Sequence, residues 1–376
     1  MDLSPTEEQK LIRETFARFS DDQVRPAAHE IDQSHEFPRG LFKQLGELGF
    51  FGMLYPEEDG GSNAGLVAFC WALSEIARGS MSLAAAATMQ ALMGTRFVQM
   101  LGTDRHREKF LRPALAGRKI GGICMTEPDS GSDLHSISTQ ATPVEGGYRL
   151  SGQKMWVSLA PIADFFTVFA KAGPDGKLTI FLVEAGSDGL IVGRSIDKAG
   201  VRGMPTSEVA FDDVFVTAEN RLGEEGEGET YLRQILARIR IVTAALAVGI
   251  GQAALDEAVR YGGERMQFGK PINRFQATQM RLADMATDLE AARHMTDHAA
   301  WICDAGLPHH KEAAMAKLFA TEAAWRVCEA ASRVFASYGY ATEYPVERYL
   351  RDVRFTLIGG GTSDILKLII AKELTV

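Results

Sequence analysis

An α+β chain in three successive parts is predicted: an N-terminal α-helical domain over 1–118, a middle β domain over 119–227 and a C-terminal α-helical bundle domain over 228–376. Three observations lead there. Apolar residues recur at helical spacing as far as Gly117. Near Lys119 they give way to short β-branched and aromatic runs separated by turns. After Gly228 the helical period returns and does not break again.

In the first part, Leu41, Leu45 and Leu48 form a helical stripe that ends in the turn Pro56-Glu-Glu-Asp-Gly-Gly, and an alanine-rich stretch runs from Val67 to Met100. In the middle, strands are expected at Ile120–Met125, Tyr148–Leu150, Phe165–Ala170, Leu178–Val183, Leu190–Val192 and Val209–Val216. In the last part, a long apolar helix is expected over Tyr231–Gly262. A second carries Phe275, Leu282, Met285 and Leu289 on one stripe with Arg281, Asp284 and Asp288 off it. A third runs from Lys311 to Ser337 with Met315, Leu318, Phe319 and Val327. A final helix starts at Thr362-Ser-Asp, whose short polar side chains suit an N-cap, with Ile365, Leu368 and Ile369 directed inward.

The composition, 46% hydrophobic and 24% charged over 376 residues, is that of a globular chain with a large core. A formal charge of −9 disfavours nucleic acid or an anionic membrane as main partner. Cys70, Cys124, Cys303 and Cys328 are scattered, without the spacing of a zinc site or a disulfide framework, and read as buried thiols. The polar N-terminus lacks signal-peptide character, and no uninterrupted apolar run reaches the ~20 residues of a membrane span. A soluble cytoplasmic protein is the expectation. No Walker loop, nucleophile elbow or paired-histidine metal motif occurs, and Gly249-Ile250-Gly251 lies within an apolar helix, where close packing is its expected role.

Four segments concentrate glycine, polar and aromatic residues at the seams between the parts: Met125-Thr-Glu-Pro-Asp-Ser-Gly-Ser-Asp133, Lys154-Met-Trp-Val-Ser158, Arg265-Met-Gln-Phe-Gly-Lys270 and Gly359-Gly-Gly-Thr-Ser-Asp364. Alone, each reads as a turn, a buried tryptophan, a cationic loop or a helix entry. In this order, and with Gly200-Val-Arg-Gly-Met-Pro, Gly269-Lys-Pro-Ile, Phe275-Gln276 and Thr342-Glu-Tyr-Pro-Val-Glu-Arg-Tyr-Leu-Arg-Asp352, they resemble the acyl-CoA dehydrogenase family over essentially the whole chain.

That resemblance implies a barrel-like middle β domain, a C-terminal four-helix bundle, a homotetramer built from dimers, FAD as cofactor, an acyl-CoA substrate and electron-transfer flavoprotein as acceptor. It also implies roles residue by residue. Met125, Thr126 and Ser132 lie along the flavin and the pantetheine, Trp156 packs on the ring, and Ser158 meets its hydride-accepting nitrogen. Arg265 neutralises the pyrophosphate of a neighbouring subunit's FAD, a task for a forked donor. Phe268 and Gln276 line the dinucleotide. Thr362, with Asp364 beside it, opens a helix whose N-terminus suits an anion. Arg240, Gly359, Gly360 and Gly361 fall at the acyl end.

The sequence departs from the family where the chemistry sits. The family's base is the Glu of a Tyr-Glu-Gly-Thr segment, which is matched here by Gly359-Gly360-Gly361-Thr362. A minority of members carry the base just before the position of Arg240, and that place holds Ile239. A glycine keeps the backbone N–H that polarises the thioester carbonyl, so oxyanion-type assistance can survive without a base. Arg333 stands where many members have a glutamine, and Ala336-Ser337 where they have a glycine pair touching FAD. Three functional readings follow: an acyl-CoA dehydrogenase or enoyl-CoA reductase with an unusual proton route, a desulfinase cleaving a C–S bond in a sulfinated thioester, or a partner subunit of a heteromeric dehydrogenase. A flavin monooxygenase on the same fold is a fourth.

Overall fold

The computed structural model describes residues 5–375. Helix α1 (Glu7–Phe19) begins with a capping box in which Thr6 Oγ1 accepts from the Gln9 N–H at 3.2 Å and the Thr6 N–H donates to Gln9 Oε1 at 3.0 Å. A π-turn at Ser20–Val24 leads into α2 (Arg25–Ser34), and α3 (Arg39–Glu47), α4 (Gly65–Gly79) and α5 (Met81–Thr88) follow. Helix α6 (Arg96–Leu101) and two short pieces, α7 (Asp104–His106) and α8 (Arg112–Leu115), complete the first part. Its core is aromatic: Phe50 lies edge-on to Phe16 at 5.4 Å and 4.8 Å from Phe69, and Phe51 sits 4.6 Å from Phe42.

The middle part is one twisted, barrel-like sheet. Its strands are β1 (Gly121–Cys124), β2 (Gln140–Val144), β3 (Gly147–Ser158), β4 (Phe165–Ala172), β5 (Lys177–Glu184), β6 (Leu190–Ser195), β7 (Thr206–Thr217) and β8 (Arg221–Leu222). They pair in the order β6-β7-β3-β2-β4-β5-β8, and β1 runs parallel to the first half of β4 while β2 occupies its second half. Strands β2 and β8 went unpredicted because β2 is largely exposed and β8 is two residues long. All of Phe165–Phe169 except Thr167 are apolar, and all five are buried, as a strand covered on both faces requires.

The last part is built on α9 (Gly228–Glu264), α10 (Gln276–Asp304), α11 (His310–Phe335) and α12 (Val346–Ile358), with α13 (Ser363–Thr375) packed on α11. Between α9 and α10 lies a hairpin of β9 (Met266–Gln267) and β10 (Lys270–Pro271). Helix α9 is long and apolar enough to cross a membrane by composition, yet most of its apolar window is buried among other helices. Its glycines serve packing: a Cβ on Gly249 would sit 2.3 Å from the Ser74 carbonyl oxygen of α4.

Two expectations need correction. In α11 the buried stripe consists of Ala313, Ala316, Ala320, Ala323 and Ala324 around Val327, whereas Met315 is 38% exposed; small residues let α9 and α11 approach closely. In α13 the inward residue is Leu366, and Leu368 is 67% exposed. Helix α12, which the periodicity did not single out, joins the bundle to the sheet. There the Val201 N–H donates to Asp352 Oδ1 at 2.6 Å, and a Cβ on Gly200 would lie 2.6 Å from the Arg351 backbone. Arg351 also grips Asp32 of α2 at 2.6 Å, so one short segment ties together all three parts.

Candidate active site

The sequence-derived residues fall into three groups. The first lies where β1 leaves the sheet. Met125 and Thr126 run beside β3, held by the Met155 N–H donating to the Thr126 carbonyl at 2.8 Å. The register of β3 slips between Lys154 and Val157, and in that bulge Trp156 takes φ +60 and turns its indole outward, 56% exposed. A bulky residue at positive φ is an outlier that marks a site. Ser158 ends the strand, and neither its hydroxyl nor that of Thr126 bonds to the described residues. Ser132 is exposed on the following turn.

Beneath this edge lies an ion pair that the sequence did not reveal. Lys154 Nζ donates to Glu127 Oε1 at 2.8 Å and to the Met125 carbonyl at 3.2 Å, and both side chains are buried. Glu127 also accepts from the backbone N–H and hydroxyl of both Ser138 and Thr139. Burial pushes the Glu127 carboxyl up, but the bonds from Lys154, Thr139 and Ser138 prevail and hold it at about 2. A lysine and a glutamate inside two motif segments were the available signal.

The second group surrounds the glycine triplet. Gly359 ends α12 in extended conformation, whereas Gly360 and Gly361 take φ +73 and +106, which only glycine adopts freely. A Cβ on Gly360 would lie 3.2 Å from Thr243 Oγ1 and 3.6 Å from Ile239 Cγ2, so the two positions expected from the resemblance lie at one spot. Arg240 follows on α9, only 8% exposed, and its Nε has no partner. Burial pushes its pKa down. Lys317, fully buried in the alanine stripe of α11, donates to the Gly361 carbonyl at 2.8 Å. Burial lowers its ammonium to about 8, with Glu322 opposing and Arg240 adding to the shift. A lysine among alanines at helical spacing was the overlooked clue. Thr362 caps α13, its hydroxyl 3.4 Å from the Ile365 N–H, and Asp364 is exposed and pairs with Lys367.

The third group lies at the other end of α9. Arg265 is 25 positions beyond Arg240, about 38 Å along a helix at 1.5 Å per residue, too far to serve the glycine turn of its own chain. Its guanidinium lies over Tyr338 at 5.5 Å. Phe268 and Gly269 both have positive φ and form the two-residue tip of the β9–β10 hairpin, which leaves Phe268 92% exposed. Gln276 is exposed at the start of α10. Arg333 pairs with Glu329 at 2.5 Å, and Ser337 is exposed. Ala336 takes φ +53 and ψ −127, a conformation suited to glycine.

An outward indole face beside free hydroxyls fits the edge of an isoalloxazine, and an arginine with exposed aromatics fits the dinucleotide arm. Fold and site together define a flavin-dependent oxidoreductase of acyl thioesters. The comparisons agree: the models of the acyl-CoA dehydrogenase N-terminal, middle and C-terminal domains match residues 6–118, 122–214 and 226–375. The chain belongs to the acyl-CoA dehydrogenase family, whose members are FAD flavoenzymes.

Among curated relatives, a benzylmalonyl-CoA dehydrogenase of Aromatoleum aromaticum is 63% identical over 100% of both chains. Butyryl-CoA dehydrogenase from Megasphaera elsdenii superposes with a TM-score of 0.96 at 34% identity, over 100% of each chain. The FAD complex of PigA gives 0.96 at 31% identity, over 100% of this chain and 99% of that one.

Proposed function

We propose that the protein oxidises a 2-(arylmethyl)malonyl-CoA thioester with loss of CO2. One observation carries this reading: the buried Arg240 guanidinium has an unpartnered Nε beside Ile239 and Thr243, which face Gly360, and in this reading neither Gly360 nor Ile239, the expected base positions, can take a proton. A dehydrogenase acting on a plain acyl-CoA must remove an α-proton. A malonyl-type thioester bears a carboxylate on that carbon and needs no base. The bond from the α-carbon to the carboxylate breaks, CO2 leaves, and the electron pair remains as the thioester enolate. The β-carbon then loses hydrogen with its bonding pair, and a C=C bond forms. The flavin supplies the acceptor for that hydride. The substrate anion would thus yield an α,β-unsaturated thioester and CO2, with the hydride passing to a bound flavin as oxidant and no proton to place.

In this reading the Gly360 N–H polarises the thioester carbonyl, Trp156 covers the flavin, and Met125, Thr126, Ser132 and Ser158 meet its edge and the adjoining substrate. Arg265, Phe268, Gln276, Arg333 and Ser337 serve the FAD of a neighbouring copy, in keeping with the length of α9, which makes the active form a homo-oligomer, a tetramer by family pattern. Thr362 and Asp364 complete the dinucleotide contacts at α13. Electrons pass to electron-transfer flavoprotein. The name of the 63% identical relative supports the substrate class.

The test is to supply the flavoprotein with 2-benzylmalonyl-CoA and an electron acceptor. One CO2 and one 3-aryl unsaturated thioester are expected per two electrons. A product that retains the carboxylate, or equally fast oxidation of 3-phenylpropanoyl-CoA, overturns the proposal. Sulfite release from a sulfinated thioester without flavin reduction establishes the C–S cleavage reading instead.

A further inference from the structure

We infer that Arg240 and Lys317 form an anion seat behind the glycine turn that receives the α-carboxylate of the substrate and selects carboxylated thioesters over plain ones. The inference rests on the malonyl-type reading above and assigns that reading its specificity residues.

Buried charges are normally paired, because taking an ion out of water costs several kcal/mol that only a partner restores. Among the buried arginines and lysines, Lys154 has Glu127, and Arg348 lies against Tyr349 near Asp352. Arg240 departs from this pattern. Its side chain makes no hydrogen bond to the described residues, and its Nε is enclosed and unpartnered. Lys317 is also fully enclosed, and its ammonium uses one of three donors on the Gly361 carbonyl. Glu322, whose charge reaches Lys317, accepts from the Ser363 hydroxyl at 2.6 Å and does not reach Arg240. Two like charges close enough for one to depress the other, with so little acid between them, are relieved either by loss of the Lys317 proton or by an anion that joins them, and the anion lets both stay charged.

The seat is placed for that anion. Lys317 holds the turn at Gly361, and Arg240 is an i,i+3 neighbour of Thr243, whose side chain, with that of Ile239, faces the missing Gly360 Cβ. An anion here sits where the family's carboxylate base otherwise stands, so the substrate brings the negative charge that the protein lacks. A glutamate at Gly360 or Ile239 would neutralise Arg240 and repel the substrate carboxylate, which explains why both positions are empty together. At the acyl end of a malonyl thioester only that carboxylate carries charge. A planar guanidinium matches it with two parallel donors.

The test uses the FAD-loaded protein and two thioesters that differ only by the α-carboxylate, 2-benzylmalonyl-CoA and 3-phenylpropanoyl-CoA. Affinities come from the concentration dependence of the fast flavin absorbance change on mixing, before any turnover. The wild-type protein is expected to bind the carboxylated thioester at least tenfold more tightly. Arg240→Gln should weaken it roughly 10- to 150-fold, the range of one charge-assisted bond, and leave 3-phenylpropanoyl-CoA within about twofold. Arg240→Lys should recover much of the loss, and Lys317→Met should show a smaller loss with the same selectivity. Equal affinity of the wild type for both thioesters overturns the seat even if no variant folds. Parallel weakening of both ligands in a folded, flavin-replete Arg240→Gln also overturns it. CO2 release without an affinity difference removes the seat but keeps the proposed reaction, whereas an affinity difference without CO2 release does the reverse.

Discussion

Returning a carboxylate to the vacant base position should convert the site toward ordinary dehydrogenation, and the structure distinguishes two ways of doing so. A general base contributes ~10²–10⁴-fold, about 2.7–5.4 kcal/mol at 1.36 kcal/mol per decade. Gly360→Glu meets two obstacles: φ +73 costs a residue with a Cβ roughly 1–2 kcal/mol, and that Cβ lies 3.2 Å from Thr243 Oγ1. Ile239→Glu sits in regular helix; it loses the burial of one aliphatic side chain, about 1.5–3 kcal/mol, and its carboxylate is desolvated beside the buried Arg240, which can offset that cost as a partner. It therefore delivers a carboxylate to the same spot without backbone strain. Anaerobic flavin bleaching by 3-phenylpropanoyl-CoA in a stopped-flow instrument should accelerate at least ~100-fold in Ile239→Glu. Gly360→Glu should gain less, and Thr243→Ala should improve it by relieving the contact. Both variants should lose decarboxylating turnover. If both retain FAD and bind the thioester, yet neither bleaches faster than wild type, the two positions are not vacated base sites and the mechanism falls.

Glu127→Gln strands the Lys154 charge and should cost ~3–5 kcal/mol in urea unfolding. Because the folded carboxyl is held at about 2 against an ordinary 4.5, its stabilisation is present above pH ~4.5 and lost as pH falls toward 2. The buried Asp352 behaves oppositely: burial raises its carboxyl to about 6, so the folded state is penalised as pH rises from about 4 through 6. Asp352→Asn, which keeps an acceptor for the Val201 N–H, should flatten that part of the stability–pH curve. Ala336→Gly should raise the thermal midpoint, since relief of ~1–3 kcal/mol of strain exceeds the ~0.5–1 kcal/mol entropic cost of glycine. Arg265→Ala should lower the flavin-to-protein ratio after gel filtration, with a 10- to 150-fold loss of affinity for one charge-assisted contact; full flavin content would refute its assignment.

The sequence by itself determined the three-part organisation, because apolar patterning is a local property: short, nearly continuous apolar runs in Phe165–Ala172 and Lys177–Glu184, and helical period from Gly228 onward, are legible without tertiary contacts. It also carried the motif segments through which the family resemblance, and the expectation that Gly360 and Ile239 stand at base positions, were read, since residue identity is written in the chain. Orientation and pairing were not legible. Trp156 faces outward only because β3 bulges against β7, and α11 buries alanines because α9 lies close against it. Lys317 reads as an ordinary surface lysine until the alanines around it are placed against a second helix, and the lack of a partner for Arg240 is a property of space, since any of the many acids in the chain could have met it. Gly360 shows the same division. Its identity is written in the chain, but only the fold brings a Cβ at that position within 3.6 Å of Ile239 Cγ2, 121 positions earlier in the sequence. The charge needed at that spot depends on three helices meeting there, and burial, which sets the cost of an unpaired ion, exists only once they have packed.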